Sequence, residues 1–276
     1  MMDRKGLLDL LRDPFYIQTI IIFVGCIAIY IYINMNPVLA LALSAIIYPA
    51  IAFIPVATYI PNMREIGVSW EDKFSVMIFS QWLGAIIWFI AEVIWCWYYN
   101  LYCGIENPYP SVADVFYVAA YIPVIVGLTI YVAVLYRIVR PELSTRDKII
   151  SMVAIVCSGI IVGVLYWSMI VLSYMGEPIP PVEFALNVTY VVLDAILLVV
   201  VVFGFLVIRG MMGRVLTLFL ISSLLVIVFN VGFAYLEAYD LYYDGHPIEL
   251  LDILSYLVDA LAFYEVAKIT KSGEGT

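Results

Sequence analysis

Asn100 to Thr129 reads N-L-Y-C-G-I-E-N-P-Y-P-S-V-A-D-V-F-Y-V-A-A-Y-I-P-V-I-V-G-L-T. A turn without a single Lys or Arg runs through a proline into an apolar helix, on which Asp114, Tyr117 and Tyr121 stand at i, i+3 and i+7 and so share one face. The pattern recurs twice. After Pro181 come Glu183, Asn187, Tyr190 and Asp194, and after Pro247 come Glu249, Asp252, Tyr256 and Asp259, one helical stripe each.

Around these stretches the chain is 65% hydrophobic and 13% charged, with a mean hydropathy of +1.06. A soluble globule carries about 25% charge, so a soluble fold is excluded. Apolar runs of about 20 residues suit helices crossing a bilayer, whereas barrel strands would alternate. The expected fold is therefore an all-α integral membrane protein with eight spans: Phe15–Met35, Pro37–Ile60, Phe74–Tyr98, Val112–Tyr136, Ile149–Tyr174, Glu183–Ile208, Val215–Ala238 and Ile248–Lys268. Residues 1–14 form an interfacial amphipathic segment, 15–268 the transmembrane domain and 269–276 a cytoplasmic tail.

The basic residues test this topology, because Lys and Arg favour cytoplasmic loops. With eight spans, all 13 fall on one side, which makes both termini cytoplasmic and the protein a multi-pass cell-membrane protein. The acids divide otherwise. That side carries a net +3 and the outer turns and outer half-spans a net −12, together the stated −9. So many acids without a counter-cation point to a cation, a proton path or a metal ion.

Tyr48, Tyr121, Tyr190 and Tyr256 each lie about two turns into an even-numbered span that follows a proline-containing outer turn, which suggests four helical-hairpin pseudo-repeats. Spans three and seven add Trp88, Glu92 and Asn230, with Glu92 one turn beyond Trp88. Trp95 to Tyr99 read as an outer aromatic belt. If the stripes face inward, Glu92, Asp114, Tyr117, Tyr121, Glu183, Asn187, Tyr190, Asp194, Asn230, Glu249, Asp252, Tyr256 and Asp259 line one ligand-binding cavity open to the outside. Asp114, Glu183 and Glu249 sit where an acid also caps a helix. Asp194 and Asp259 lie about three turns inside, too deep for capping.

The segment P-Y-P-S-V-A-D-V-F-Y-V-A-A-Y-I-P, Pro108 to Pro123, resembles the Pro-Ser-x-Ala-Asp-x-x-Tyr-x-x-x-Tyr segment of the multispanning sensory regions that precede diguanylate cyclase (GGDEF/EAL) or histidine kinase modules in bacterial signalling proteins. Tyr190-x-x-x-Asp194 and the Asp252–Asp259 stretch are similar to later helices of that region. The resemblance implies a sensory membrane module, here standing alone without a catalytic output domain.

The leading expectation is a membrane sensor or receptor-like module taking a small cationic or polar ligand, with a cytoplasmic signalling partner or a second copy of itself as candidate partners besides the lipid bilayer. A secondary transporter of a cation or small polar solute is the alternative, since the spans carry carboxylates near mid-depth. A membrane-embedded enzyme comes third. It lacks a nucleophile–base pair, and His246 is the single histidine. Nothing in the sequence calls for a catalytic residue, a cofactor, a histidine-based metal site or nucleic acid.

Overall fold

The structure is a computed structural model that describes residues 12–139 apart from 36, 67–68, 106–107, scattered positions between 145 and 167, and residues 180–272 apart from 208–211 and 240. The amphipathic segment expected over 1–14 and most of the expected fifth span lie outside the described residues. So does the end of the tail.

Seven long helices are described, and no strands. They are α1 (Pro14–Met35), α2 (Pro37–Ile66), α3 (Lys73–Glu92, continuing as a π-helix over Val93–Cys103), α4 (Val112–Val139), α5 (Pro181–Val207), α6 (Met212–Ala238) and α7 (Glu249–Ser272). Aspartates cap the starts of two of them. Asp13 accepts from the N–H of Phe15 and Asp72 from those of Phe74 and Ser75, capping α1 and α3.

Six of the seven are long and apolar enough to cross a membrane. The protein is therefore a multi-pass helical membrane protein, although eight such spans are not present among the described residues. The expected eighth span, α7, misses the criterion because Glu249, Asp252, Asp259 and Glu265 interrupt its hydropathy. Those acids face protein: Glu249, Asp252 and Glu265 are buried, and Asp259 is half-buried. A helix enclosed by other helices need not look apolar to a lipid-based criterion.

Side-chain contacts give the order of the helices. Gly84 and Gly127 bring α3 and α4 together, Tyr136 stacks near Phe203 between α4 and α5, Gly204 meets Leu220 between α5 and α6, and Phe219 meets Phe263 between α6 and α7. Tyr59 meets Phe263 between α2 and α7 and Trp82 between α2 and α3, which closes a ring of six. α1 lies outside the ring against α7 and α2. Contacts between α4 and α5 pair Asp114 with Tyr190, Tyr121 with Asp194 and Tyr136 with Phe203, so these helices run parallel.

Two apolar clusters fill the interior. One centres on Tyr59, Leu128, Leu216, Phe219 and Phe263, the other on Tyr30, Trp95, Ile253 and Leu257.

Candidate functional site

The interior polar groups sort into connected sets, each assembled from different helices. The most acidic joins α3 to α7. Tyr256 Oη lies 2.7 Å from Glu92 Oε1 and 2.6 Å from Asp252 Oδ2, while Trp88 Nε1 donates to Tyr256 Oη at 2.8 Å and to Glu92 Oε1 at 3.2 Å. Tyr117 of α4 also donates to Glu92, and Ser255 Oγ to Asp252 Oδ1 at 3.2 Å. Both carboxyls are buried, 3% and 1% exposed, and the ion pairs found among the described residues lie elsewhere, at the Arg214, Glu265 and Lys268 end.

A second set joins α4, α5 and α6. Tyr121 Oη donates to Asp194 Oδ1 at 2.6 Å, and Asn230 Nδ2 donates to Tyr121 Oη at 2.5 Å and to Asp194 Oδ1 at 3.2 Å. Asp194 is fully buried. Asn187 accepts from Tyr109 at 2.6 Å nearby. Tyr190 Oη reaches Asp114 Oδ1 at 2.9 Å, and Asp114 Oδ2 accepts the Ser111 N–H at 2.7 Å while Ser111 Oγ accepts from Ala113. Asp114 is thus both a capping-box acid and an interhelix bridge.

Glu249 belongs to a third set. Its Oε1 accepts from Gly245 N at 2.7 Å and Tyr242 Oη at 3.0 Å, and its Oε2 from Tyr30 Oη at 2.5 Å. These bonds tie α1 and the loop before α7 together, a closure role. Glu183 is half-buried at the start of α5, apart from these bonds. Next to the closure, His246 Nδ1 accepts the Ile248 N–H at 3.1 Å, and partial burial holds its imidazole below the usual histidine range.

Between the first two sets lies a cavity of about 50 Å³. All six ring helices line it. Asp259, Ser255 and Tyr256 come from α7, Ser222 and Ser223 from α6, Tyr121 from α4, Leu197 from α5, Gln81 and Trp88 from α3, and Ala52 and Pro55 from α2. Ser222 hydrogen-bonds the Asp259 carboxylate. At about 10–15 Å³ for each water, this volume holds a few waters or a small ion, not a metabolite.

Of the 13 expected site residues, Tyr121, Tyr256 and Asp259 line the cavity. Glu92, Tyr117, Asp194, Asn230 and Asp252 stand directly behind it, bonded to its lining or to one another. Asp114, Asn187 and Tyr190 lie farther along α4 and α5, and Glu183 and Glu249 at helix starts. Gln81, Ser222, Ser223 and Ser255 were not anticipated. Small hydroxyls and amides inside apolar helices mark buried faces, which is the signal these four carry in the sequence. Trp95, expected in an exposed aromatic belt, is instead 9% exposed and packs on Tyr117, whereas Trp97, Tyr98 and Tyr102 are exposed.

The π-helical stretch explains that turn inward. Its wider spacing puts Glu92, Cys96 and Asn100, four residues apart, on the buried face. Cys96 Sγ then contacts Glu92 at 3.9 Å, and Asn100 bonds Asp244 at 3.0 Å. Among the described residues no three His, Cys, Asp or Glu side chains converge as metal ligands do.

Fold and site together define a multi-pass helical membrane protein with a polar, carboxylate-bearing interior. The chain matches no protein-family model, no curated protein and no solved structure.

Proposed function

We propose that the chain is a membrane sensor or receptor-like module whose central cavity takes a small cation. The observation that carries this reading is the lining itself. One carboxylate, Asp259, faces a space of about 50 Å³ together with three serine hydroxyls, the Gln81 amide and the rings of Trp88, Tyr121 and Tyr256. Oxygen donors beside aromatic faces suit an alkali or ammonium-sized ion. The absence of a converging ligand triad among the described residues disfavours a tightly held divalent metal.

In this reading occupancy is felt by every helix of the ring, because each contributes to the lining, and is passed to a partner at the basic, cytoplasmic end. The resemblance of Pro108–Pro123 to bacterial sensory regions supports the same assignment. Thermal unfolding in lipid nanodiscs across alkali ions, ammonium and small amines tests it. At least one cation should raise the melting temperature of the wild type, and Asp259→Asn should fold yet lose that rise. Identical melting curves across the whole series would overturn the reading. Buried carboxylates beside an interior cavity also suit a cation transporter, and gradient-driven uptake into proteoliposomes would select that alternative.

A further inference from the structure

The hydrogen bonds around Tyr256 cannot all be made if both of its acidic neighbours are ionised. A phenol has one proton to donate. Tyr256 Oη nevertheless lies 2.7 Å from Glu92 Oε1 and 2.6 Å from Asp252 Oδ2, and it already accepts the Trp88 N–H at 2.8 Å. If Tyr256 donates to one carboxylate, the other oxygen at that distance is either a repelling anion or a donor. Only a protonated carboxyl makes it a donor.

We infer that Glu92 and Asp252, bridged by Tyr256 Oη, form a membrane-buried proton-binding site that holds one proton between two carboxyls. Uptake forms one O–H bond on a carboxylate, breaks none within the protein, and takes the pair from two negative charges to one. A hydronium ion reaching the adjoining cavity, which Tyr256, Ser255 and Trp88 line, gives up the proton, breaking one of its O–H bonds and leaving water.

A second feature points to the same ligand. The hydroxyl of Tyr48 of α2, a residue 7% exposed, also turns to Asp252. It supports an ionised Asp252 once the proton leaves, as Tyr117 and Trp88, which already donate to Glu92, support an ionised Glu92. The other titratable groups facing the pair are Cys96 beside Glu92, Glu249 one turn before Asp252 and Asp259 two turns after it, and no described ion pair brings a cation to it. The site stands on these contacts alone and does not depend on what else the cavity binds.

Infrared spectra of the full chain in nanodiscs at about pH 7 provide the test. The wild type should show a carboxylic-acid carbonyl band that shifts in D2O. Glu92→Gln and Asp252→Asn should each abolish it, and the double variant should remove no more than either single change, because one proton is shared. Should a single variant fail to fold, Tyr256→Phe replaces it, and the band must move or vanish. The proposal is overturned if no such band is lost, if the two losses add in the double variant, or if Tyr256→Phe leaves the band where it was.

Discussion

Asp194 shows how a carboxylate is kept inside a membrane helix. It has no exposure, and Tyr121 and Asn230 both donate to it from neighbouring helices. Tyr121 is the pivot, since its hydroxyl donates to Asp194 and accepts from Asn230. Tyr121→Phe therefore leaves both partners short of a bond. Interhelix hydrogen bonds in membranes are worth about 0.6 kcal/mol on average, and a buried group left unpaired costs more, so a loss of about 1 kcal/mol is expected. Chemical denaturation in mixed micelles should show it, with Tyr117→Phe as a comparison that spares this set. At this scale the sequence revealed which residues face inward, because an acid three turns into an apolar helix has few other places to go. It did not reveal partners. Asp194 and Asn230 are brought together by the crossing of α5 and α6, and nothing local to either residue encodes that crossing.

Helices α3 and α4 pack through glycine. A Cβ on Gly127 would stand 2.6 Å from Ser80 Cβ and 3.3 Å from the Met77 carbonyl, and one on Gly84 would stand 3.3 Å from the Ala120 carbonyl. Neither Ser80 Cβ nor a backbone carbonyl can rotate away, so the helices themselves must part. Close approach through small residues is how membrane helices gain contact when lipid is as apolar as their side chains. Gly127→Ala should lower stability by about 1–3 kcal/mol, read as a drop in melting temperature, and it should also perturb Gln81, which bonds the Val124 carbonyl across the same interface. Helix existence and ends were readable from apolar length, caps and prolines. The π-helical continuation after Glu92 was not, since it depends on what the wider turn buries. Nor did Pro49, Pro55 and Pro61 stop α2, which runs unbroken through all three.

On the scale of the molecule, charge separates the two ends. Acids and phenols gather where α4, α5 and α7 begin, while Arg214, Glu265, Lys268 and Asp13 gather at the opposite end. The six apolar helices were readable in the sequence as uninterrupted apolar runs long enough to cross a bilayer. The closed ring, with α1 left outside, was not readable, since any helix with an apolar surface can pack or face lipid. α1 exposes Ile17, Ile20, Ile21, Val24 and Ile31 and is pinned to α7 at both ends by polar bonds. At one end Tyr30 holds Glu249; at the other Tyr16 holds Glu265, and Asp13 meets Lys268 at 2.9 Å and Tyr264 at 3.1 Å. Partial burial alone would raise the Asp13 carboxyl, but the Lys268 ammonium, the Phe15 N–H and the Tyr264 hydroxyl outweigh it and hold the group below the usual aspartate range. A carboxyl depressed in the folded state stabilises above its unfolded value of about 3.9, and that contribution is lost as pH falls through the lower folded value. Anchorage of α1 at this end should therefore be insensitive to pH near neutrality and weaken below about pH 4. Amide exchange in the first turns of α1, corrected for the intrinsic rate, should rise in that acid range in the wild type. In Asp13→Asn it should already be fast at neutral pH and show no further acid step; a wild-type acid step that survives this substitution would place the anchor at Glu265 instead.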